Sequence, residues 1–166
     1  MKDYSIRNIR NVAIIGHGSC GKTSLTSAFL FNSGAVNRLT QVDKGNTITD
    51  YDPDEKERQI SINSALCYLE WNKNKINIVD CPGYINFLWD TRSSLRAVDA
   101  GVTVVSATSG VEVGTEKVWG MMDEFELPRI TIINKLDRQN SGVGWSSTAD
   151  PRWSRRQAVH VQIHIG

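Results

Sequence analysis

Residues 12–32 constrain the fold more than any other stretch. They hold a short apolar run, Val12-Ala13-Ile14-Ile15, then a glycine-rich loop, Gly16-His17-Gly18-Ser19-Cys20-Gly21, then Lys22 to Asn32 with helical spacing. A continuous apolar run ending in glycine reads as a strand buried on both faces, as in the middle of a parallel sheet. Leu25, Ala28 and Phe29 share one face of the helix predicted after it, and Ser33-Gly34 closes that helix. The loop from Gly16 to Thr23 matches G-x-x-x-x-G-K-[ST]. Glycines let backbone N–H groups wrap a phosphate chain, and the helix start adds the positive end of its dipole. Lys22 is then placed to reach β- and γ-phosphates, and the Thr23 hydroxyl to coordinate Mg²⁺.

The remaining chain alternates in the same way. Residues 35–58 are polar and aperiodic, a loop long enough to be functional or mobile. From Ile60 a strand is predicted, with Ile60, Ile62, Leu66 and Tyr68 on its apolar face. Asn72-Lys73-Asn74 turns it into a second strand, Lys75 to Val79. A helix over 85–98 is expected to bury Ile85, Leu88, Trp89, Leu95 and Val98. Strand 102–107 and helix 114–126 follow, the latter with Val118, Met121, Met122 and Phe125 as core residues. Pro128 ends that helix before strand 130–133. The pattern predicts an α/β fold: a mostly parallel sheet with one antiparallel edge strand and helices on both faces. Ligands of such folds sit beyond the carboxyl ends of the strands, where GHGSCGKT, DCPG and NKLD all lie.

At 166 residues and net charge +1 the chain is about one domain, without a global pull toward nucleic acid. No DNA partner is expected, and a monomer is. Its three cysteines, Cys20, Cys67 and Cys81, form neither a disulfide framework nor a metal spacing, which suits a reducing cytoplasm. The N-terminus lacks signal-peptide character and no stretch has membrane-spanning length, so no membrane partner is expected.

Each motif has an assigned chemistry. Asp80 is placed to hold Mg²⁺ through a water, and Gly83 offers a backbone N–H unobstructed by a side chain to a γ-phosphate. The Asp137 carboxylate can accept from guanine N1–H and the N2 amino group, which adenine lacks. The Lys135 stem can cover the base while Asn134 fixes the loop. Cys20 reads as a small loop residue and His17 as a packing or hydrogen-bonding one. Gly16 to Ser24, Asp80, Gly83, Asn134, Lys135 and Asp137 form the candidate nucleotide set, and Thr23, Ser61 and Asp80 the candidate Mg²⁺ set.

GHGSCGKTSL, DCPGYINF and NKLDR, with ERQISINSA and SGVEVGTEKVW, resemble translational GTPases, and most closely elongation factor G-like proteins, over roughly residues 7–139. The resemblance implies a Ras-like GTP-binding domain that cycles between GTP and GDP forms on the ribosome. It makes residues 37–60 the first switch loop, ordered by the γ-phosphate, and puts Ser61 where the family usually has a Mg²⁺-sensing Thr. The candidate catalytic groups are Lys22, Gly83 and Tyr84. Family members typically carry a water-positioning His where this chain has Tyr84, although some elongation factor G-like relatives have Tyr. A phenol is no base near neutral pH, so tight GTP and GDP binding with slow hydrolysis is expected. A non-hydrolysing GTP-dependent binding module and an inactive fragment are the alternatives.

The family pattern breaks after Asp137. Gly142, Gly144 and Pro151 interrupt the expected helix, and Trp145 and Trp153 stand among arginines. The expected division is an incomplete GTP-binding domain, 1–139, and a divergent or frame-disrupted segment, 140–166. The latter closes on a strand-like AVHVQIHIG that resembles the start of the family's inserted subdomain. His160 and His164 at strand spacing lack a third metal ligand. The domain is therefore expected to be truncated at its C-terminus.

Overall fold

A computed structural model describes residues 3–139 and 141. The readings made for residues 140 and 142–166, including Trp145, Trp153, His160, His164 and the closing strand, lie outside them.

Five strands form one sheet: β1 (Ile9–Gly16), β2 (Ala65–Trp71), β3 (Asn74–Asp80), β4 (Ala100–Ser106) and β5 (Arg129–Asn134). Their spatial order is β2-β3-β1-β4-β5, with β2–β3 antiparallel and every other pair parallel. The helices are α1 (Lys22–Asn32), α2 (Pro53–Arg58), α3 (Leu88–Leu95) and α4 (Val113–Glu124). One core layer joins Ala13 and Ile15 to Leu88, Leu95, Val118 and Met122 under α3 and α4. The other joins Ile14, Ile78, Val104 and Leu69 to Leu30 under α1. Alternate side chains of β1 thus feed opposite layers, which is why its run is continuously apolar. The expected α/β sheet with its antiparallel edge and helices on both faces is the observed one.

The β2–β3 hairpin turns on two residues, Asn72 and Lys73, with φ of 47° and 64°. Positive φ at both positions is the type I′ geometry that matches the right-handed twist of the strands.

Three expectations need correction. First, the strand expected from Ile60 begins at Ala65; within it Leu66 and Tyr68 are 75% and 56% exposed, and Ala65, Cys67 and Leu69 face the core instead. The stronger apolar residues sit on the outer face of this edge strand because α1 covers only the inner one. Second, the segment 85–98 begins as a 3₁₀ turn, Ile85–Phe87, before α3. Trp89 is 79% and Ile85 46% exposed, and the buried face is Leu88, Thr91 and Leu95. Third, the stretch read as loop contains α2. Its start was legible: Asp52 caps it, Pro53 opens it and Glu55 completes a capping box. On α1 the deepest residues are Thr26, Ser27 and Leu30, with Leu25 and Phe29 half-buried against the same layer.

Candidate functional site

The parallel strands β1, β3 and β5 deliver their carboxyl ends to one edge of the sheet. The phosphate loop leaves β1 with Gly16 at φ 147° and enters α1 through Gly21 at φ 98°. A side chain on Gly16 would strike the Val104 carbonyl, and one on Gly21 would strike the Asn134 amide. Both glycines are fixed by neighbouring strands as well as by the loop's own turn. Gly18 is buried, Cys20 lies in the core beneath the loop, and Ser24 is exposed on the first turn of α1. Burial raises the Cys20 thiol pKa, against the lowering effect of Lys22, so this cysteine stays a neutral packing residue.

Lys22 is 6% exposed and its Nζ donates to the His17 carbonyl at 2.8 Å. Gly83 comes down on this ammonium. A Cβ there would collide with Lys22 Nζ and would lie 2.7 Å and 2.8 Å from the His17 and Gly16 carbonyls. Only glycine lets the D-C-P-G turn approach the loop so closely. Tyr84 follows, with its ring against Gly18, where an added Cβ would stand 2.9 Å from ring carbons. Its hydroxyl lies 3.0 Å from Ser19 Oγ.

Two members of the NKLD sequence reach the same loop. Asn134 Nδ2 donates to the Cys20 carbonyl at 3.0 Å, and Lys135 Nζ to the Ser19 carbonyl at 2.6 Å. Ser19 itself has φ 59°, a left-handed conformation uncommon for serine, and is held there from both sides by Tyr84 and Lys135. Asp137 sits in the turn after β5 with an exposed carboxylate. His17 is oriented by partners the sequence did not single out. Its Nδ1 accepts from the Gly114 N–H at 3.2 Å, and its Nε2 lies 3.5 Å from the Glu112 carboxylate.

Beside Lys22 lies a compact group of oxygens. Thr23 Oγ1 is 3.1 Å from Ser61 Oγ, which donates to Asp50 Oδ1 at 2.7 Å. Thr47 donates to the other Asp50 oxygen at 3.1 Å, and Thr49 to Asp80 Oδ2 at 2.8 Å. Asp80 is 1% exposed, and its Oδ1 is buried without a hydrogen-bond partner. Desolvation pushes its pKa up to about 6, although Thr49, Lys22 and Thr23 each pull it down. A buried carboxylate oxygen left unpaired beside two hydroxyls fits a hard divalent cation that prefers oxygen donors. Thr23, Ser61 and Asp80 would hold Mg²⁺ here; Asp50 and Thr49, which sequence reasoning missed, orient two of them. The signal for both was their place in the polar stretch before ERQIS, too weak without the fold.

Lys22, Thr23, Ser61, Asp80 and Gly83 therefore converge with the phosphate loop, while Asn134 and Lys135 buttress it from the end of β5. A groove lined by Tyr4, Asn8, Trp71 and Lys73 lies at the opposite end of the sheet, by the hairpin turn, and brings none of the motif residues together.

Sheet order, loop and strand-end motifs define a Ras-like P-loop nucleotide-binding domain. The chain belongs to the family of the elongation factor Tu GTP binding domain, whose model matches residues 7–161. It is 48% identical over 156 residues, 94% of its length, to the mitochondrial ribosome-releasing factor 2 of Debaryomyces hansenii. To elongation factor G 2 of Borreliella afzelii it is 41% identical over 130 residues, 78% of its length. The chain spans about a fifth of these relatives, 18% and 19% respectively. A crystal structure of a Thermus thermophilus protein superposes with a TM-score of 0.76 at 40% identity, covering 78% of this chain and 20% of that one. A bacterial selenocysteine-specific elongation factor shares the fold, with a TM-score of 0.63 at 22% identity over 77% of this chain and 20% of that one. Among the described residues no helix is long and apolar enough to cross a membrane, and all three cysteines are free.

Proposed function

We propose that this chain is the GTP-binding part of an elongation factor G-like translation factor, a Mg²⁺-dependent GTP/GDP switch that acts on the ribosome. The observation that carries the reading is the approach of Gly83 onto Lys22 Nζ and the phosphate-loop carbonyls, where a γ-phosphate would separate them. GTP but not GDP then moves the D-C-P-G turn, and Ser61 answers the same change through Mg²⁺ on the first switch loop. Asp137 selects guanine by accepting its two donors. A relative named as a ribosome-releasing factor and another named as an elongation factor support the ribosome as partner. The free cysteines suit a reducing, translating compartment, the cytoplasm or, as several relatives' names indicate, the mitochondrion.

Hydrolysis is slow because position 84 carries a phenol. Tyr84 can orient a water through its hydroxyl but cannot take a proton near neutral pH, a deficit of ~10²–10⁴ in rate. Single-turnover hydrolysis of GTP, with and without ribosomes, tests this in the chain and in Tyr84→His. A faster Tyr84→His variant supports the account; equal rates contradict it. GTP binding without hydrolysis in either variant favours a pure binding module.

A further inference from the structure

Glu55 is completely buried, yet it is an acidic residue on a six-residue helix in a polar segment. Its carboxylate is occupied by backbone amides. Oε2 accepts from the Asp52 N–H at 3.2 Å, the ordinary capping-box contact at the start of α2. Oε1 accepts from the Ile62 and Asn63 N–H groups at 2.9 Å and 3.0 Å. Capping does not explain these last two bonds, because both donors lie beyond the end of the helix. Gln59, with φ 54°, reverses the chain after α2 and brings residues 60–63 back along it. The next amide, Ser64 N–H, is held by the Asp90 carboxylate of α3. Three consecutive amides after Ser61 are thus fixed by two carboxylates from different elements.

Ser61 stands at the start of this fixed run. Its hydroxyl has two partners, Asp50 and Thr23. A serine lacks the β-methyl that restricts threonine about χ1, so its position depends more on the backbone that carries it. We propose that Glu55 is a positioning residue for Ser61. It closes residues 52–63 into a loop and sets the Ser61 hydroxyl against Thr23, so that the loop favours a γ-phosphate-bearing nucleotide over a diphosphate. The proposal rests on the reading of Ser61 as a Mg²⁺- and γ-phosphate-sensing hydroxyl. A carboxylate is suited to the task because one oxygen can accept two amides in a dry site. An amide oxygen keeps those two, but its NH₂ end cannot accept from Asp52.

The test uses the full chain with Mg²⁺, fluorescent GDP and a fluorescent non-hydrolysable GTP analogue, in Glu55→Gln, Glu55→Ala, Ser61→Ala and the double variant Glu55→Ala/Ser61→Ala. Glu55→Ala is expected to weaken the analogue about tenfold more than GDP, with Glu55→Gln in between, as loss of charge-assisted hydrogen bonds would. Adding Ser61→Ala to Glu55→Ala should cost nothing further, the non-additivity expected of two residues acting as one. Exchange of the Ile62 and Asn63 amides should quicken in Glu55→Ala while β1 stays protected. Equal weakening of both nucleotides, additive losses or unchanged amide exchange would each overturn the proposal. If Ser61→Ala itself leaves the preference for the analogue intact, the reading of Ser61 fails and takes the proposal with it. If Ser61→Ala abolishes the preference while the Glu55 variants keep it, the role of Glu55 alone is refuted. Should Glu55→Ala fail to fold, Glu55→Gln and the Glu55→Gln/Ser61→Ala pair supply the same comparison.

Discussion

Asp80→Asn in the protein freed of Mg²⁺ and nucleotide should stabilise the fold near neutral pH while disabling the site. The wild-type carboxyl has an ordinary pKa of 3.8 and a folded value of about 6. The folded value is raised, so the native state binds this proton more tightly than the unfolded chain does. Its contribution to stability is fully present below pH 3.8 and is lost as pH rises through about 6. A rise of that size corresponds to about 3 kcal/mol, and a group this deeply buried receives little solvent screening. Asparagine has no such titration. Urea unfolding in EDTA from pH 3.5 to 7.5 should therefore show the variant gaining on the wild type as pH rises, with most of the swing between pH 4 and 6. Adding Mg²⁺ and GDP should then raise the wild type and leave the variant nearly unmoved, since a ligand stabilises only the state that binds it. A stability difference that stays flat with pH would show that Asp80 is not held as a desolvated carboxyl, and the case for its orphaned oxygen as a cation ligand would fall with it.

Other substitutions address other parts of the account. Gly18→Ala should destabilise the apo-protein by about 1–3 kcal/mol by forcing the Tyr84 ring off the loop, and Tyr84→Ser in the same chain should relieve most of that in thermal melts. Tyr84→Phe, which loses only the hydroxyl contact to Ser19, should cost no more than about 1 kcal/mol by the same measurement. Asn134→Ala should weaken GTP and GDP equally, measured by fluorescence titration, because its amide supports the loop carbonyl of Cys20 and lies outside both the first switch loop and the D-C-P-G turn. Leu69→Ala should cost about 2–5 kcal/mol in urea unfolding, whereas Leu66→Ala, on the exposed face of the same strand, should stay within about 0.5 kcal/mol.

That last pair marks where the sequence misled. Alternation along β2 was legible, but its phase was assigned to the more apolar set, Leu66 and Tyr68, and the core took Ala65, Cys67 and Leu69. An edge strand faces a helix on one side only, and hydrophobicity alone does not say which side that is. Trp89 misled in the same way, as a large apolar residue at helical spacing that the fold leaves outside. Helix α2 escaped because six residues are too few for a period, although its cap was written in Asp52, Pro53 and Glu55. The strand-end motifs were legible because backbone geometry demands them: Gly16, Gly21 and Gly83 stand where a Cβ would meet Val104, Asn134 and Lys22. What no local pattern conveyed were contacts between distant segments. Tyr84 on Gly18, Lys135 on the Ser19 carbonyl and Asp50 on Ser61 depend on strands and loops that only the folded sheet brings together.

The central claim is that these strand ends form a guanine-nucleotide site. Displacement of fluorescent GDP from the full chain, in Mg²⁺, by GTP, GDP and ATP tests it most directly. GTP and GDP should displace the probe at comparable concentrations, and ATP in about hundredfold excess should not. Displacement by ATP as readily as by GTP, or no binding of the probe at all, would contradict it.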